Sequence, residues 1–93
     1  MSAPRALKGI GINVFITYFE IFSQLRDQKS IAKFCIENGI SNESGALIRG
    51  RYMEHIINNK ILMKECVNYI IHHSKKITQA QRNKAKHLLD NIG

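Results

Sequence analysis

The stretch from Phe34 to Tyr52, FCIENGISNESGALIRGRY, restricts the fold more tightly than any other part of the chain. A small residue, Cys35, stands four positions before Gly39, which is followed by apolar Ile40 and by the hydroxyl of Ser41. Glycine enters the left-handed backbone that ends a helix without steric cost, and an apolar residue after it folds back onto the preceding turn. A serine next in line can accept hydrogen bonds from the unpaired N–H groups that open a second helix. Gly45 then allows close crossing, and Ile48 supplies an aliphatic anchor three positions on. The pattern predicts two helices joined by a tight turn over about 30–57. Ser30 caps the first, from Ile31 to Asn38, and Ser41 caps the second, to about Ile57. The expected inward stripe of the second is Gly45, Ile48, Tyr52, Met53 and Ile56.

The rest of the chain reads as helix too. Asn13 is the expected cap of a helix to about Asp27. In it Val14, Tyr18, Ile21 and Leu25 follow 4-3-4 spacing, with Phe15, Phe19 and Phe22 as a flanking row. Strand-like alternation fails there, because neighbours such as Phe15 and Ile16 are both apolar. The Asn58-Asn59 pair ends the motif's second helix, with a hairpin across Ile56 to Leu62 as the local alternative. A further helix from Lys60 to about His73 carries Leu62, Cys66, Tyr69 and Ile70 on one side. Thr78 and Gln81 form a capping box that starts a last helix to Ile92, with Ala85, Leu88, Leu89 and Ile92 as its apolar row. The expected fold is therefore all-α, a compact bundle of about five helices. A flexible basic arm over 1–11, punctuated by Gly9 and Gly11, precedes a single domain over 12–93.

Composition narrows the function. A chain of 93 residues, 44% hydrophobic and 23% charged, is globular. It buries only about 60–65% of its unfolded surface, which leaves little room for a deep substrate cavity. Its formal charge of +7 favours polyanionic partners. Arg5 and Lys8 ahead of the apolar run Ile10 to Phe22 look like the start of a signal peptide. The run is too short to span a bilayer, however, Glu20 interrupts it, and no A-x-A-type cleavage site follows. Cys35 and Cys66 have no CxxC companion and read as reduced core thiols, so the expected location is cytoplasmic and no membrane partner is expected.

The segment Cys35, Gly39-Ile40-Ser41, Ser44-Gly45 and Arg51-Tyr52 resembles the helix-turn-helix of insertion-element transposases and homeodomain-like DNA-binding regulators. The likeness covers about one fifth of the chain and no catalytic region. It implies that the second helix enters the major groove of double-stranded DNA, and that the protein binds as a homodimer on two half-sites. Asn42, Glu43, Ala46, Leu47, Arg49 and Gly50 are the expected outward positions. Asn42 suits adenine, Arg49 guanine or a phosphate, and Ala46 or Leu47 a thymine methyl. Gly50 inside a helix marks close approach to another backbone. The expected DNA-binding set is Lys33, Ser41, Asn42, Glu43, Ser44, Arg49 and Arg51, joined by Lys75, Lys76, Arg82, Lys84 and Lys86 around the start of the last helix. Leu62, Cys66 and Tyr69 are the expected apolar surface for pairing.

Catalytic chemistry finds no support in the residue pattern. Glu20, Asp27, Glu37, Glu43, Glu54, Glu65 and Asp90 are scattered, and no serine sits in a nucleophile elbow. Gly9-Ile10-Gly11 lacks the preceding strand of a nucleotide loop. His55, His72, His73 and His87 have no metal-ligand spacing with either cysteine. The expectation is a non-enzymatic protein without cofactor, metal or small-molecule substrate: a small transcriptional or replication regulator of a phage or mobile element. Two alternatives stay open, the N-terminal DNA-binding domain of a longer replication initiator or recombinase, and a helical protein-interaction module.

Overall fold

A computed structural model describes residues 2–73 and 75–92. Its elements are α1 (Ala3–Ile10), α2 (Ile12–Leu25), α3 (Gln28–Glu37), α4 (Glu43–Ile57), α5 (Lys60–His73) and α6 (Gln79–Ile92), with no strand among the described residues. The chain is all-helical, as expected, with one helix more than the sequence suggested. The hairpin alternative at 56–62 does not form, since α4 runs to Ile57 and α5 begins at Lys60.

The added element is α1, and it corrects the expectation of a flexible arm. Pro4 sits in its first turn, where a missing N–H costs nothing. Ala3, Ala6, Leu7 and Ile10 recur at helical spacing and are buried, and the helix packs on α4 and α5. Gly11, at φ +93°, ends α1 and starts α2, so the chain bends by 87° between them. Among the described residues no single helix is long and apolar enough to cross a membrane.

Inside α2 the backbone breaks at Tyr18 (φ −112°, ψ 15°). Lys84 donates to the Thr17 carbonyl there at 3.3 Å, the kind of side-chain intrusion into a helical ladder that produces a kink. The aromatic rings of α2 pack inward. Phe22 meets Phe34 of α3 at 5.9 Å and Tyr18 at 5.9 Å, and Tyr18 meets Phe34 at 5.5 Å. Asn13 does not cap α2; its Oδ1 accepts instead from Gln81 Nε2 at 2.9 Å, tying the starts of α2 and α6 together.

Helix caps decide the remaining boundaries. Asp27, rather than Ser30, caps α3: its carboxylate accepts from the Ser30 N–H at 3.0 Å and from the Ser30 hydroxyl at 2.7 Å. These bonds hold the Asp27 carboxyl below its ordinary value, so their stabilisation is present at neutral pH and fades as acid protonates the group. The turn after α3 forms as anticipated. Gly39 lies at φ +67°, Ile40 N–H donates to the Cys35 carbonyl at 2.8 Å, and Gly39 N–H donates to that of Ile36 at 3.2 Å. That is the Schellman closure of a helix end. Asn58 closes α4, and Asn59 opens α5 by accepting from Leu62 N–H at 3.1 Å. The predicted Thr78–Gln81 box is present in both directions: Thr78 N–H donates to Gln81 Oε1 at 2.9 Å, and Gln81 N–H donates to Thr78 Oγ1 at 3.1 Å.

The core joins Leu7 and Ile10 of α1, Phe15, Ile16 and Phe22 of α2, Ile31 and Cys35 of α3, and Met53 and Ile56 of α4. Val67 and Ile70 of α5 and Ala85 and Leu88 of α6 complete it. Leu62 and Cys66 belong to this core, so they do not form the exposed pairing surface expected of them; Tyr69 is half-buried and stacks on His73 at 5.1 Å.

Candidate nucleic-acid interface

The geometry of α4 follows from its crossing with α3. A Cβ built on Gly50 would lie 2.5 Å from the Gln28 carbonyl oxygen, so only glycine allows this approach. Gln28 Nε2 in turn donates to the Leu47 carbonyl at 3.1 Å. The residues turned inward are therefore Ala46, Gly50, Met53 and Ile56. This corrects the expected inward stripe, which placed Ile48 inside and Ala46 and Gly50 outside. Ser44, Leu47, Ile48, Arg51 and His55 fall on the exposed side, with Leu47 at 44% and Ile48 at 49% exposure.

Several expected base-reading roles change with it. Asn42, not Ser41, caps α4: its Oδ1 accepts from Gly45 N–H at 2.8 Å, which occupies the oxygen needed for bidentate pairing with adenine. The Ser41 hydroxyl is buried beside the Cys35 thiol and caps no helix. Arg49 turns toward α1 and donates through Nε to the Ile10 carbonyl at 2.9 Å, so it fastens α1 to α4 rather than reaching outward. Ala46 is fully buried and cannot touch a thymine methyl. Glu43, Ser44 and Arg51 keep exposed positions on α4.

The basic residues divide into two sets. Lys29 and Lys33 of α3 line an apolar groove with Ile36, Glu43 and Leu47, and Lys33 lies 3.8 Å from Glu37. Arg51 of α4 lines a separate cleft with Arg5, Ile48 and Tyr52. The C-terminal set belongs to elements packed elsewhere, because α6 rests on α5 and α2 whereas α4 rests on α3, α1 and α5. Within it Arg82 donates to the Ile71 carbonyl, and Lys84 bonds Thr17 and lies 3.9 Å from Glu20. Lys75, Lys76 and Lys86 are exposed.

Comparison of the chain with protein-family models, with characterised proteins and with solved structures finds no match. Chemistry must therefore be read from the residues alone. Among the described residues, no three His, Cys, Asp or Glu side chains assemble into a group that could hold a metal ion.

Both cysteines are buried and unpaired. Burial pushes the Cys66 thiol up to about 12, assisted by the charge of Glu65. Burial also raises Cys35, against the opposing pull of Arg49. An unfolded thiol ionises near 8.5, so the native state holds protons that the unfolded state releases. Stability should be intact below about pH 8.5 and decline as the pH rises from there towards 12. At pH 8 neither thiol of the folded protein should react with iodoacetamide within minutes, whereas both should react in denaturant. Mass spectrometry reads the outcome, and rapid labelling of the native protein would contradict the burial described above.

Exposed Ile36 and Ile48 are surface groups that the sequence pattern does not single out. Arg5, expected on a flexible arm, stands on the docked helix α1, whose Ala3, Ala6, Leu7 and Ile10 follow helical spacing.

Proposed function

We propose that this protein binds double-stranded DNA through a helix-turn-helix formed by α3 and α4, with α4 lying in the major groove. One observation carries it. Helix α4 has one face locked onto α3 at Gly50 and presents Ser44, Leu47, Ile48 and Arg51 on the other. Those positions recur at helical spacing and form a ridge, with Lys29 and Lys33 of α3 on the Leu47 side and Arg5 of α1 on the Ile48 side. Cations beside a protruding helix suit the two phosphate strands that border a groove, while Ser44 can bond base edges and Leu47 and Ile48 can meet thymine methyl groups. The net charge of +7 adds attraction independent of sequence. The biological role most in keeping with it is a small regulator of transcription or replication in a phage or mobile element, bound as a homodimer.

Selection of duplexes from a random pool at near-physiological salt tests this. A recurrent motif should be enriched. Leu47→Asp should weaken binding to it at least tenfold, whereas Ile61→Asp, the same change of charge on the exposed part of α5, should leave affinity within about twofold. Flat enrichment, or equal loss from both variants, would overturn the proposal. The exposed apolar pair Ile36 (47%) and Leu47 would then favour a protein partner in the α3–α4 groove.

A further inference from the structure

On the other side of α4 from that groove, Arg5, Ile48, Arg51 and Tyr52 line a cleft of about 470 Å³ between α1 and α4. Its location is fixed by two features. Tyr52 lies against Gly9, where any Cβ would overlap its ring, and Arg49 binds the Ile10 carbonyl at the end of the same helix. The wall contributed by α1 is thus held in place rather than free to swing.

The cleft brings two guanidinium groups to one place without a carboxylate. Several other cations of this chain are occupied: Lys33 faces Glu37, Lys84 faces Glu20, and Arg49 and Arg82 donate to backbone carbonyls. Arg5 and Arg51 have no hydrogen bond or ion pair among the described residues, and no carboxylate lines the cleft they share. Two like charges lining one cleft without a counter-charge are better accommodated when an anion sits between them. A guanidinium offers a planar fork of donors matched to phosphate oxygens. The apolar floor of Ile48 and Tyr52 can pack against the sugar or base next to that phosphate.

We infer that the cleft between α1 and α4 is a phosphate site in which Arg5 and Arg51 hold one backbone phosphate of the bound nucleic acid. The ligand's identity as nucleic acid rests on the DNA-binding proposal above; the phosphate chemistry of the cleft does not. Helix α1 thereby becomes a second contacting element, and its rigid placement fixes how α4 is seated along the strand.

The experiment measures duplex affinity as a function of salt for the full chain, Arg5→Ala and Lys60→Ala. Each phosphate contact contributes about 0.9 to the log-log slope. Arg5→Ala leaves Arg51 alone on the shared phosphate, so it should lower the slope by part of that amount and weaken all duplexes alike, whereas Lys60→Ala, at the exposed start of α5, should leave it unchanged. Where duplex is bound, the slope decides: a wild-type slope in Arg5→Ala, or an equal fall in Lys60→Ala, overturns the site while leaving DNA binding intact. Where the wild-type chain binds no duplex, titration with inorganic phosphate at constant ionic strength decides, followed through the NMR signals of the Arg5 and Arg51 side chains and of Tyr52. Shifts beyond those of a chloride control, abolished by Arg5→Ala, uphold the phosphate site although DNA binding has failed. Shifts no larger than the control overturn it.

Discussion

Gly50→Ala will destabilise the protein, although alanine ordinarily improves a helix interior by about 1 kcal/mol over glycine. The added methyl meets the Gln28 carbonyl oxygen at 2.5 Å and its carbonyl carbon at 3.2 Å. Backbone cannot rotate aside as a side-chain tip can, so α3 and α4 must separate or tilt. Overfilling a packed contact of this kind costs about 1–3 kcal/mol. Separation also strains the Gln28 bond to the Leu47 carbonyl and opens the crossing that buries Ala46. Thermal and urea unfolding of both proteins would measure the change. A variant as stable as the parent, or more so, would show that the two helices are not in such close contact.

Truncation of Phe22 should have a larger effect. Its side chain is fully buried and joins Tyr18 and Phe34 in a three-ring cluster between α2 and α3. Phe22→Ala removes the ring that both others touch, and large-to-small changes of this type cost about 3–5 kcal/mol. A domain of this size is stable by only about 5–14 kcal/mol, so the variant retains little reserve. Its melting temperature should fall by about 12–40 °C. Phe22→Leu, which keeps much of the volume, should lose considerably less. Equal behaviour of the two variants would mean that the rings are not packed against one another.

The elements that could be read from the sequence are those whose signals are local. The Thr78–Gln81 box and the Gly39 turn depend on residues within a few positions of each other, and both form as anticipated. Where two capping residues compete at close spacing, sequence does not choose between them: Asp27 displaced Ser30, and Asn42 displaced Ser41. The short α1 has helical spacing, but eight residues with a proline and a glycine hold no helix alone; packing on α4 and α5 holds it. The inward face of α4 is not legible locally for a related reason. Hydrophobicity favours Ile48 as the inward residue, but contact at backbone range selects Ala46 and Gly50, whose small size is legible only once α3 is in place. Of the expected DNA-contacting set, Ser44 and Arg51 stay on the outer face of α4, whereas Asn42 and Arg49 are committed to holding the fold together.

The docking of α1 also dictates an order of events at the ribosome. Residues 3–10 emerge before the helices they pack on, which are complete only at Ile57 and His73. A nascent chain grows from its N-terminus at about 5–20 residues per second, so Leu7 and Ile10 remain uncovered for about 3–13 seconds while α4 and α5 are being made. During that interval the apolar face of α1 is open to capture by a chaperone or by another nascent copy.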